Sequence, residues 1–148
     1  GDGNAHIVRF RRDSYDAPNL KALMTDPAVL KLFHFARFDV AVMRRYLDIA
    51  VAPIYCTKIA SKLVRTYTDR HGLKDLCGEL LDVSLSKEQQ SSYWGADTLL
   101  HLHALREALD DMLRRENRTA YAEACFSFLP VRADLDLAGW NDIDIFEH

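Results

Sequence analysis

No stretch of this chain approaches the roughly 18 uninterrupted apolar residues that a membrane-spanning helix needs, so no transmembrane span is expected. Cysteine is scarce: Cys56, Cys77 and Cys125 are odd in number and far apart. Such a set fits neither a disulfide framework nor a Cys-x-x-Cys metal knuckle, and it points to a reducing cytoplasm. There is no P-loop, no Gly-x-Gly-x-x-Gly, no Gly-x-Ser-x-Gly and no His-Glu-x-x-His. Their absence sets aside most nucleotide-dependent, hydrolase-elbow and zincin chemistries. The C-terminal acids Asp134, Asp136, Asp142, Asp144 and Glu147 lack the spacing and glycine of an EF-hand loop. The opening Gly1–His6 has no basic stretch followed by an apolar core, so it does not read as a signal peptide. It has no initiator Met either, and a preceding segment is expected.

What is present is ordinary globular material. Of 148 residues, 49% are hydrophobic and 28% charged, enough apolar side chain to offset ordering entropy in one domain. The formal net charge of −3 hides an asymmetry. Residues 31–74 carry nine basic and three acidic groups, whereas residues 75–148 carry six basic and fifteen acidic. A basic middle is either a solvated helix face or a local site for an anion such as a phosphate backbone. The acidic second half argues against a protein that coats long duplex nucleic acid.

The apolar pattern alternates strands and helices in the first half and gives helices alone in the second. Ala5–Phe10 alternates as a strand does. Asp16 and Pro18 read as a cap and first-turn proline for a helix through Met24. A short helix is expected near Asp26-Pro27, a strand over Lys31–Phe35, and a helix carrying Phe38, Val42, Met43 and Leu47. Pro53–Cys56 reads as another strand, followed by a helix with Ile59, Leu63 and Tyr67 on one face. Further helices are expected over Leu73–Leu81, Thr98–Arg115 and Ala120–Phe128, the last stopping before Pro130. Leu135–His148 is too apolar for a free tail and is expected to dock on something. This order implies α/β or α+β with a small sheet.

Asp39 follows an apolar strand at a strand-to-helix junction, where the helix dipole favours a carboxylate. It is either a plain first-turn acid or a ligand pointing toward a metal or phosphate. His101 and His103 stand two apart, off any shared helix face, and make a poor chelate. His34 sits in an apolar run, as hydrogen-bonded core histidines do. Thr66–Lys74 is dense in donors, and Ser84–Trp94 combines Lys87, Gln89, Gln90 and several serines with Tyr93 and Trp94. Donors for phosphate and sugar beside aromatics for stacking are what a single-strand binder uses.

Taken together, four stretches resemble the RNase D-like 3′–5′ exonucleases of the DEDDy group. They are His34-Phe35-Ala36-Arg37-Phe38-Asp39, Cys56-Thr57-Lys58-Ile59-Ala60-Ser61, His71-Gly72-Leu73-Lys74-Asp75-Leu76, and Leu85 through Trp94. Within the group, Thr66–Leu73 and the ending Leu135–Trp140 through Asp144-Ile145-Phe146 resemble the short NrnC-type nano-RNases. The resemblance implies an α/β, ribonuclease H-like exonuclease fold: a small mixed sheet flanked by helices, here without its first strands. It implies a single exonuclease domain over 1–148, and hydrolysis of short RNA to mononucleotides with two divalent ions, Mg²⁺ or Mn²⁺. The family holds its ions with an Asp-x-Glu pair, a second Asp and a Tyr-x-x-x-Asp. Asp39 matches the second-motif acid; the first motif belongs upstream of Gly1, and the third between Leu99 and His101. His34, Phe35, Arg37 and Phe38 are expected to line the 3′-terminal nucleotide. Arg70, His71, Lys87, Gln89 and Gln90 are expected to contact phosphate and sugar. Implied partners are short single-stranded RNA or diribonucleotides and copies of the same chain, as a ring. The rival is a non-catalytic RNA-binding or scaffold module of the same fold, and a DNA exonuclease is a third reading.

Overall fold

The computed structural model describes residues 18–85 and 96–146. The expected strand at Ala5–Phe10 and the cap at Asp16 lie outside them, as do Lys87, Gln89, Gln90, Tyr93 and Trp94. The elements run α1 (Pro18–Thr25), β1 (Lys31–Phe33), α2 (Ala36–Leu47), β2 (Ile54–Cys56), α3 (Thr57–Val64), α4 (Leu73–Leu81), α5 (Ala96–Arg115), α6 (Thr119–Leu137) and α7 (Asp142–Phe146). β1 and β2 pair in a small parallel sheet, with α2 as the crossover between them. The mixed α/β class read from the alternating pattern is the observed one. Among the described residues, no helix is long and apolar enough to cross a membrane.

The chain forms two compact units. One takes in the described residues 56–85 and 96–122. Its core follows from the spacing of Leu102, Leu105, Leu109 and Leu113, a buried stripe along α5 at helical period. α5 packs against α3 and α4, which bury Ala60, Val64, Leu76 and Cys77. α5 ends in a Schellman turn. Arg118 N–H donates to Leu113 O at 2.8 Å and Asn117 N–H to Arg114 O at 3.1 Å. Asn117 takes the left-handed φ of 56° that this turn requires.

The other unit takes in residues 18–55 and 123–146. It buries Phe33, Ala36, Val40, Leu47, Ile49, Val51 and Ile54 together with Phe126, Leu129 and Ala133. The Tyr55 and Phe126 rings lie 4.7 Å apart, tilted by 43°. Lys31 is buried, yet its Nζ donates to Asp26 O at 2.6 Å and Ala52 O at 2.7 Å. Burial lowers its pKa all the same.

Four expectations change. Asp26–Val29 is a turn, because the Asp26 carboxylate accepts the Ala28 N–H at 2.9 Å and takes the place of a helical bond. β1 ends at Phe33, and His34-Phe35 form the bend into α2. α3 stops at Val64, so Tyr67 lies past it, exposed. There Arg65 folds back, its Nη1 donating to Ser61 Oγ at 3.0 Å and Arg70 O at 2.6 Å. α6 runs through Pro130 to Leu137. Proline removes one helical bond, but burial of Leu129, Arg132 and Ala133 on both sides holds the helix together. A second Schellman turn ends it: Trp140 N–H donates to Leu135 O and Gly139 N–H to Asp136 O, with Gly139 at φ 91°.

Leu109 has no exposed surface. Leu109→Ala is expected to cost about 2–5 kcal/mol in urea unfolding. Tyr121→Ala, at a position 67% exposed, should leave the midpoint nearly unchanged.

Candidate active site

The site is built where β1 hands over to α2. The strand ends in buried Phe33, His34 is buried in the bend, and Phe35 is the residue before the helix. Phe35 supplies no side-chain cap, so the first turn of α2 is held by tertiary contacts. Ala36 and Val40 are buried on its inner face. Phe35 and Phe38, three apart, are 45% and 60% exposed.

Asp39 lies in that first turn and is only 5% exposed. Burial raises its pKa from 3.8 to about 7, and among the described residues no basic side chain offsets the shift. A buried carboxylate without a charge partner is poorly solvated unless it binds a proton or a cation. Its hard oxygens are of the kind that Mg²⁺ accepts, so Asp39 fits such an ion as one ligand. The described residues hold no group of three or more His, Cys, Asp and Glu that could complete a metal site.

Arg37, two residues earlier, is engaged. Its Nε and Nη2 fork onto Asp136 at 2.6 Å each, and its Nη1 donates to Asp142 at 3.3 Å. Buried Arg132 joins the same two acids. Nη1 donates to Asp142 at 2.5 Å, and Nη2 lies 3.4 Å from Asp136. Two arginines and two aspartates thus alternate around a closed ring that ties α6 and α7 to the start of α2. The hydrogen bond from Arg37 holds the Asp136 carboxyl below the usual range. A nucleotide contact by Arg37 therefore requires exchange of these partners.

Arg70 and His71 belong to the other unit. Arg70 is exposed. His71 is buried, and its Nδ1 shares a hydrogen bond of 2.7 Å with Ser61 Oγ. Arg65 closes this network with a hydrogen bond to Glu79, and Tyr67 Oη donates to the same carboxylate at 2.8 Å. Burial works to raise the Glu79 pKa, but the hydrogen bonds from Arg65 and Tyr67 outweigh it and hold the carboxyl below its ordinary value. This Ser61–His71–Arg65–Glu79 network is absent from the sequence reading. Its only local trace is the three- and four-residue spacing of Thr57, Ser61 and Arg65 with the buried face of α3. One further spacing is easily passed over. Tyr93 and Asp97 stand four apart, as a Tyr-x-x-x-Asp does, and Asp97 falls in the first turn of α5.

The family model described as 3′–5′ exonuclease matches residues 1–123. The chain belongs to the 3′–5′ exonuclease family. Within it the chain is RNase D-like and of the NrnC type. It is 28% identical over 111 residues to Ribonuclease D of Granulibacter bethesdensis, a match covering 67% of this chain and 28% of that protein. It is 28% identical over 130 residues to Ribonuclease D of Gluconacetobacter diazotrophicus, covering 80% of this chain and 33% of that protein. The chain thus spans about a third or less of these relatives. Among solved structures it is similar to Brucella melitensis NrnC with bound Mg²⁺, at 48% identity and a TM-score of 0.89, covering all of this chain and 78% of that one. It is also similar to Brucella melitensis NrnC bound to pGG, at 49% identity and a TM-score of 0.82, covering 92% and 72% of the two chains.

The Asp39 pKa carries a stability signature. Below about pH 4 both folded and unfolded chains hold the proton. Between about 4 and 7 only the folded chain does, so stability falls as pH rises, by at most about 1.4 kcal/mol per unit from this group. Urea unfolding across that range is expected to show the fall, and Asp39→Asn to flatten it.

Proposed function

We propose that this chain is a metal-dependent 3′–5′ exoribonuclease that degrades short RNA to mononucleotides. The observation that carries the reading is Asp39. It is the acid matching the family's second motif, and it is buried at the strand-to-helix junction with no basic side chain beside it among the described residues. The NrnC structures with Mg²⁺ and with pGG support the class of ion and the class of substrate.

In this reading Asp39 is a ligand for Mg²⁺ or Mn²⁺. A pair of such ions supplies Lewis-acid activation of water and stabilisation of the leaving 3′ oxygen. The chain's own residues bind and orient the RNA. Phe35 and Phe38 offer exposed ring faces to the 3′-terminal base. His34 and Arg37 stand with them at the 3′-terminal nucleotide, Arg37 also anchoring the start of α2 through Asp136. Arg70, Lys87, Gln89 and Gln90 contact phosphate and sugar. His71 acts by holding the turn that carries Arg70. The domain is one exonuclease domain over 1–148. The exposed Leu137, Trp140, Ile143 and Ile145 form the face on which copies of the chain assemble.

Asp39→Ala is expected to abolish release of mononucleotides from short RNA, at least about a hundredfold, while circular dichroism and melting stay native. Unchanged turnover would overturn the assignment. RNA binding without cleavage in the unaltered chain would favour the non-catalytic scaffold reading. Trp140→Ser with Ile143→Ser, both at exposed positions, should lower the assembly size in sedimentation, and an unchanged size would refute the interface.

A further inference from the structure

The ring of Arg37, Asp136, Arg132 and Asp142 does more than pin the C-terminal helices. We propose that it is a positioning device that sets the first turn of α2, and with it Asp39, through Arg37. The inference rests on Asp39 being the working acid, as proposed above.

Three observations lead there. Arg37 and Asp39 share one helical turn, and that turn has no side-chain cap. Asp39 has no charged partner of its own among the described residues to fix its position. Arg37, by contrast, is held by three hydrogen bonds to two acids, Asp136 and Asp142, that lie 99 and 105 positions away. A bidentate fork fixes orientation as well as distance. Arg132 makes the arrangement stiffer. It is 5% exposed, and its Nη2 also donates to Trp140 O at 2.9 Å, so loss of either Asp136 or Asp142 leaves a buried cation with one acid fewer. A catalytic group displaced by about 1 Å loses on the order of a hundredfold in rate, and this ring restrains α2 at the turn where such a shift would matter. Arg37 and Arg132 are therefore positioning residues.

The test uses Arg37→Lys, Arg37→Ala and Asp142→Asn in the full chain. Asp142→Asn loosens the ring from α7, weakening one partner of Arg37 while changing no residue of α2 itself. Two readouts are taken: amide hydrogen exchange over residues 36–40, and steady-state cleavage of a 5′-phosphorylated diribonucleotide. Faster exchange at 36–40 is expected in Arg37→Ala and Asp142→Asn, with the α5 amides unchanged. kcat should fall about tenfold to a hundredfold with KM within about twofold. Arg37→Lys should recover the melting temperature but only part of kcat, because a point charge cannot reproduce the fork. Unchanged exchange at 36–40 overturns the inference. So does a lowered melting temperature with native kcat, the outcome for a purely structural ring. If the unaltered chain cleaves nothing, the functional reading fails while the exchange result still decides the positioning claim.

Discussion

Arg37 and Asp136 are 99 positions apart in sequence and meet in a two-bond fork. The placement of α2 depends on that contact. The strand before α2 is three residues long and its helix start is uncapped, so local structure leaves the turn weakly determined. Burial of Ala36 and Val40 fixes one face of it, and the fork fixes the other. Asp39 sits between these restraints. It can be buried without a counter-charge because the turn that carries it is held from outside.

The same contact explains the charge asymmetry of the chain. The basic middle does not stand free as a phosphate-binding surface. Arg37 pairs with Asp136 and Asp142, Arg44 with Asp134 and Asp48, and Arg65 with Glu79. Much of the acidic second half is therefore complementary to the basic middle inside the fold. Arg70 stays exposed, and among the described residues no such ion pair engages it.

How much was legible in advance follows from the range of each interaction. α2, α4 and α5 could be read because their apolar residues repeat at helical spacing within one segment. β2 could be read from its short apolar run beside Pro53. Asp39 could be read as a special acid because a strand-to-helix junction is a local feature. The partners of Arg37 could not, since no local rule joins residue 37 to residues 136 and 142. His71 reads as a phosphate or sugar contact in a donor-dense stretch, and only the folding back of Arg65 onto Ser61 and Arg70 encloses it. Pro130 carried a strong stop signal, overridden by burial on both sides of it.

The proposed chemistry rests on a buried acid at the second-motif position in a chain of the 3′–5′ exonuclease family. The most direct test is incubation of the purified chain with a 5′-phosphorylated diribonucleotide, with Mg²⁺ and then with a chelator, following mononucleotides by chromatography. The account predicts mononucleotides that appear with Mg²⁺ and cease on chelation. A dinucleotide left intact with Mg²⁺, or cut equally well under chelator, would contradict it.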